Sequence, residues 1–148
     1  KMTELESLGI IITKIGCGYH TSYVIDNQGI LYYFGSNNEN ISSSLNILWS
    51  FNKISQFNIT YNHIGIINEY HNLYMYGDNS SAQCTHKTFN NIIHDQFVHK
   101  PRYVYPNVYR VKCGLNHTIF QTINGDWFSF GNNKSNQCLC HKTVFDDI

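Results

Sequence analysis

Cys113-Gly114-Leu115-Asn116-His117-Thr118-Ile119-Phe120, followed closely by Gly125-Asp126-Trp127-Phe128-Ser129-Phe130-Gly131-Asn132-Asn133, is the stretch that decides the fold. The same order of residue types occurs earlier as Cys17-Gly18-Tyr19-His20-Thr21-Ser22-Tyr23-Val24-Ile25 and Gly29-Ile30-Leu31-Tyr32-Tyr33-Phe34-Gly35-Ser36-Asn37. Gly18 and Gly114, Gly29 and Gly125, and Gly35 and Gly131 are each 96 residues apart, so the two copies superpose without a gap. A middle copy runs through His63 to Leu73-Tyr74-Met75-Tyr76-Gly77-Asp78-Asn79, 42 residues after the first and 54 before the third. Fixed spacing on this scale marks a repeat architecture, in which no unit can bury its apolar face alone.

Each copy reads as short antiparallel strands. Tyr23-Val24-Ile25 and Ile30-Leu31-Tyr32-Tyr33-Phe34 flank a turn at Asp26-Asn27-Gln28-Gly29, and in the third copy the turn carries Asn124-Gly125, a strong hairpin signal. The middle copy has His71 beside Asn72 in place of the turn glycine, which predicts a wider or strained turn. Val108 and Val111 precede His117 by the same distances as Ile54 and Phe57 precede His63, and so mark a further strand entering each unit. That makes three or four strands per repeat, rich in β-branched and aromatic residues. Ile41 to Ser50 is the one weak helix candidate, and Thr85 to Lys100 reads as an irregular connection. The predicted class is all-β. Gln83-Cys84-Thr85-His86-Lys87-Thr88-Phe89 resembles the run from Gln137 to Phe145, which reads as the opening of a fourth unit.

Composition narrows the function. Hydrophobic residues make up 42% of the 148, enough for a real core, while charged residues make up only 14%, well under the usual quarter. Formal net charge is zero, so no overall field favours nucleic acid or an acidic membrane. No apolar run reaches the length that spans a bilayer, and the opening Lys1-Met2-Thr3-Glu4-Leu5 lacks the apolar core of a signal peptide. Five cysteines without a compact spacing point to free thiols in a reducing compartment, hence an intracellular protein, cytoplasmic or nuclear. The sequons at Asn40, Asn58 and Asn116 are what so Asn-rich a chain produces by chance.

A Cys-Gly-x-x-His-Thr start, a turn glycine, an aliphatic-aromatic-x-aromatic-Gly strand end and a following Asn resemble the repeat of the regulator of chromosome condensation (RCC1) family. Cys113, Gly114, His117, Thr118, Gly125, Trp127, Phe128, Phe130, Gly131, Asn133 and Gln137 match nearly every slot, and Pro101-Arg102 and Val111 fit the lead-in. The first copy has Thr21 in the His slot, with His20 one place early. The middle copy keeps His63, Gly77, Asn79 and Gln83 but has Thr60 for the first glycine. The resemblance covers roughly residues 11 to 142, and it makes the whole of 1–148 a partial propeller with repeats at about 11–44, 54–88 and 101–142. In the family such repeats build a seven-bladed β-propeller; about three blades leave an incomplete ring with two open edges.

The resemblance implies a non-catalytic protein–protein interaction module within a larger regulatory protein or assembly. Its alternative implication is a guanine-nucleotide exchange factor for a Ran-like small GTPase. The expected partner is another protein, a small GTPase among the candidates, with self-association through the open blade edges, and with neither nucleic acid nor membrane.

No residue set stands out for bond-making chemistry, and no cofactor, metal, catalytic or partner-contact residue is assigned. His63 and His117 are the residue type of a general base, yet they occupy one repeat slot without a shared nucleophile, which is the mark of a structural histidine. Cys17 with Cys113 and Cys84 with Cys138 likewise share slots and read as small apolar packing. Cys138-Leu139-Cys140-His141, with Cys84 and His86, carries metal-ligand types but not the two pairs that zinc spacing needs. The stretch from His99 to Arg110 alternates basic and aromatic residues. It reads first as an edge strand starting at Pro101 with surface tyrosines, and second as a contact for a partner or a phosphate backbone. Trp49 and Phe51 read as packing.

Overall fold

The computed structural model describes residues 7–36, 41–84 and 95–138. They form eleven strands in three antiparallel sheets. The first sheet contains β1 (Ile12–Cys17), β2 (Thr21–Asp26), β3 (Leu31–Ser36) and β4 (Ile41–Trp49), in that order. The second contains β5 (Ile54–Ile59), β6 (His63–Asn68), β7 (Leu73–Asp78) and β8 (Phe97–Tyr105). The third contains β9 (Val108–Cys113), β10 (His117–Thr122) and β11 (Trp127–Gly131). Each sheet is one repeat, and the repeat spacing is reproduced in the pairing: Thr21 lies opposite Gly35, His63 opposite Gly77 and His117 opposite Gly131.

The glycines that close the repeats have a steric cause. Gly35, Gly77 and Gly131 share φ values of 108°, 110° and 110°, a conformation that side chains resist. A Cβ at Gly131 would lie 2.6 Å from the Asn116 carbonyl oxygen, and at the other two positions the corresponding carbonyls of His20 and Asn62 also block it. The close approach lets the next amide donate to that same carbonyl, from Ser36 to His20 (2.9 Å), Asp78 to Asn62 (2.8 Å) and Asn132 to Asn116 (2.8 Å). The end of each third strand is thereby tied to the loop that starts the second.

The sheets stack face to face, and two apolar layers lie between them. One layer joins Tyr23, Ile25 and Leu31 of the first sheet to Ile54, Ile64, Ile66 and Tyr76 of the second. The other joins Ile67, Leu73 and Met75 of the second to Val108, Val111, Phe120 and Phe130 of the third. The middle sheet is covered on both faces, so β6 is buried at all six positions and reads His-Ile-Gly-Ile-Ile-Asn rather than as an alternating strand.

Three expectations need correction. The weak helix candidate at Ile41 to Ser50 is strand β4, paired antiparallel with β3. The connection read as irregular from Thr85 to Lys100 ends in strand, because β8 already starts at Phe97; residues 85–94 lie outside the described ones. Pro101 does not start that edge strand but sits inside it, where the pairing shifts register between Met75 and Gly77, the kind of irregularity that tolerates a residue without an N–H. The turn at His71 is strained rather than wide. His71 adopts φ 61° and its amide donates to the Asn68 carbonyl at 3.0 Å, as Gly29 does to Asp26 and Gly125 to Thr122.

Gly77→Ala, which would put a methyl 2.8 Å from the His63 Cα at φ 110°, is expected to lower stability in urea unfolding by about 3 kcal/mol. Gly125→Ala, with nothing within 4 Å at φ 94°, is expected to cost about 1 kcal/mol. Equal losses would contradict the close-approach account.

Candidate functional site

The junction between the second and third sheets gathers most of the polar residues singled out by sequence. His63 is buried on β6 and its Nε2 lies 3.0 Å from Thr118 Oγ1. Thr118 Oγ1 donates to the Gln83 carbonyl at 2.7 Å, so it accepts from His63, which assigns the proton to Nε2. Nδ1 of His63 and Nε2 of Gln83 are buried without a protein hydrogen-bond partner. Asn58 Oδ1 accepts from the Cys113 amide at 2.7 Å, Gln56 Oε1 from the Val111 amide at 3.1 Å, and Thr60 donates to the Gly114 carbonyl at 2.6 Å. Thr60, the departure from the repeat's first glycine, is thus a cross-junction tie.

The histidine slot is not used uniformly. His63 reaches across the junction, whereas the His117 ring occupies the space where Gly114 would carry a Cβ. The four described cysteines are free thiols. Cys113 donates to the Asn58 carbonyl and Cys84 to the Asp78 carbonyl. Burial pushes the Cys113 thiol up to about 12 and raises Cys84 as well, which keeps both neutral and poor as nucleophiles. Cys17 is exposed on β1. Among the described residues no group of three His, Cys, Asp or Glu side chains is placed to hold a metal, while His86, Cys140 and His141 lie outside them.

The basic–aromatic stretch is dispersed over the molecule. Arg102 pairs with Asp95 at 2.5 Å, Tyr103 meets Tyr74 edge-on, and Tyr105 packs on Phe120 and Phe128. Arg110 lies over the Trp127 ring at 4.7 Å and donates to Gln121. His99, Lys100 and Pro101 face a cleft of 540 Å³ between the first and second sheets, within the size range of ligand sites.

Tyr33, Ile47, Leu48 and Phe51 form one wall of that cleft, and Tyr76, Phe97, His99 and Lys100 the other. Tyr76 and Phe97 stand edge to face, with centroids 5.7 Å apart, and on their other side line a smaller cavity with Tyr61 and Gly18. Trp49 packs as expected, buried against Tyr74 with its indole N–H on the Asn52 carbonyl. Phe51 packs edge-on against Trp49, with centroids 5.6 Å apart, yet stays 79% exposed at the cleft mouth. Apart from the His99-Lys100-Pro101 run, nothing in the sequence points to this place, since its walls come from strands of two successive repeats that lie far apart along the chain.

His63 gives the junction a pH signature. Burial is the dominant cause that drives its imidazole from 6.5 down to about 4. The unfolded chain therefore takes up a proton at a higher pH than the folded one. Stability is full above about pH 6.5 and falls by about 1.4 kcal/mol per unit as pH drops toward 4. Urea unfolding from pH 7.5 to 4.5 is expected to show this slope, and His63→Gln to flatten it; an unchanged slope in the variant would contradict the assignment.

Neither a family model nor a curated protein matches the sequence. Solved structures do. Human WBSCR16 is similar at a TM-score of 0.69 and 18% identity over 81% of this chain and 33% of that one. Prp20p from Saccharomyces cerevisiae is similar at 0.70 and 19% over 86% and 32%, and yeast RCC1 (Prp20) bound to Kap60 at 0.69 and 15% over 84% and 30%. The chain thus spans about a third of the length of these structures. With three repeat-matched antiparallel sheets stacked through shared apolar layers, the fold is that of three blades of an RCC1-type β-propeller.

Proposed function

We propose that the chain is a non-catalytic protein-interaction module that works as part of a larger ring or assembly. One observation carries this reading: residue slots sealed at the internal junctions lie open on the two outer flanks. Leu31 and Leu73 are 0% exposed, whereas Trp127 in the same slot of the third blade is 49% exposed. Val111 is 1% exposed between blades, whereas Ile15 in its slot on the first blade is 77% exposed. Surfaces of this kind are built to be covered. Further support comes from Tyr19, Tyr61 and Leu115, which occupy one slot in the three copies and stand exposed on one rim. Tyr19 stacks on Tyr61 with centroids 4.2 Å apart, and tyrosine is enriched at interaction hot spots. His63 and Cys113 are engaged across the junction, and His117 and Cys84 pack within their own blades, which supports a recognition role over a chemical one.

A second reading, nucleotide exchange on a Ran-like small GTPase, draws on the likeness to Prp20p, whose structure was reported with its binding properties to Gsp1p and histones. Accelerated release of labelled GDP from such a GTPase would favour it.

Light scattering after size-exclusion chromatography tests the open flanks. The expected result is a discrete assembly heavier than the 17.2 kDa chain, returned to monomer by Ile15→Asp or Trp127→Asp with little change in melting temperature. A strict monomer at high concentration would contradict self-association through the flanks.

A further inference from the structure

The 540 Å³ cleft between the first two blades is separate from the flanks and from the rim, and its chemistry is one-sided. Its one charged lining group is Lys100, beside His99 on the same strand, and no carboxylate of a described residue is among those that line it. Lys100 has no carboxylate partner among the described residues, whereas Arg102, two positions along, is neutralised by Asp95. In a chain of zero net charge this is a local excess of positive charge. Beneath it lies an aromatic floor of Tyr33, Tyr76 and Phe97, and at the mouth stand Phe51 and Ile47, both largely exposed.

The backbone adds a third feature. β4 and β8 are the outermost strands of their sheets, and an outermost strand carries N–H and C=O groups that no neighbouring strand takes. An extended chain laid between them finds main-chain partners, as in recognition by strand addition. Pro101 and the register shift beside it interrupt the β8 edge, which discourages one copy from pairing with another there.

We infer that this cleft binds an extended segment of a partner protein carrying an acidic side chain next to an aromatic or large aliphatic one. The apolar side chain enters between Phe51 and the Tyr76–Phe97 floor, and the carboxylate meets Lys100. The inference rests on the reading of the chain as a recognition module and names the surface and the partner's chemistry.

Fluorescence anisotropy of the full 148-residue chain with a labelled Asp-Glu-Phe-Glu-Asp-Leu peptide tests it. The peptide is expected to bind at least about tenfold more tightly than its Lys-for-acid counterpart or its Ser-for-apolar counterpart. Lys100→Glu is expected to weaken it by about tenfold and Phe51→Ser by about threefold, and added salt to weaken it further. Both positions are exposed, so loss of fold does not explain the loss of binding; circular dichroism of the variants verifies this. Equal affinity for the charge-reversed peptide, or indifference to Lys100→Glu, would overturn the assignment. So would binding of an oligothymidylate in place of the peptide. If the peptide fails while flank-mediated assembly persists, the cleft assignment falls and the module reading stands.

Discussion

A small antiparallel sheet with two apolar faces cannot exist alone in water, and everything else in this chain follows from how each sheet is covered by the next. At the second junction the contact is close enough that a Cβ at Gly65 would lie 2.8 Å from a Val111 methyl. Around that contact, Asn58 and Gln56 cap the Cys113 and Val111 amides, and His63, Thr118 and Gln83 form a sealed polar chain. At the first junction a different glycine serves: Gly16 makes room for the Phe57 ring, while Lys14 donates across to the Ser55 carbonyl. Each fully buried side chain such as Phe120 or Leu73 contributes about 1.5–3 kcal/mol. The glycines matter because they let those side chains interdigitate.

The same constraint locates the surfaces available for recognition. The first strands of the blades are drawn together by side-chain ties, from Lys14 to Ser55 and from Gln56 and Asn58 to β9. The cleft opens beside the outer strands β4 and β8. The flanks, the rim carrying Tyr19, Tyr61 and Leu115, and the peripheral cleft are three consequences of one geometry.

Much of this was legible in the sequence because a repeat fixes positions three times over. The glycines, the hairpin turns and the entering strands at Ile54 and Val108 all fell where the 42- and 54-residue spacings put them. The edge strands were not legible. β4 begins Ile-Ser-Ser-Ser and β8 contains His99, Lys100 and Pro101, so neither displays the alternation of a half-buried strand. His71 in the turn slot predicts a wider or strained turn without deciding between them, since the outcome depends on the Asn68 side chain accepting from the Tyr70 and Asn72 amides. The cleft was invisible for a related reason: Phe51 and Lys100 are 49 residues apart and meet only because two edge strands from successive repeats face each other. The packing of Phe51 on Trp49 fits the sequence reading, but its exposure at the cleft mouth does not show there.

The central claim is that the blades stand as one unit through their interdigitated junctions. A double-mutant cycle on Gly65 and Val111 tests it most directly, measured by urea unfolding. Gly65→Ala is expected to cost about 2 kcal/mol because its new methyl meets Val111. Val111→Ala is expected to cost about 2 kcal/mol through the cavity it leaves. Together the two changes are expected to cost at least about 1 kcal/mol less than their sum, since the methyl gained on one blade fills the space lost on the other. Strictly additive losses would contradict the claim, because the two blades would then not share that space.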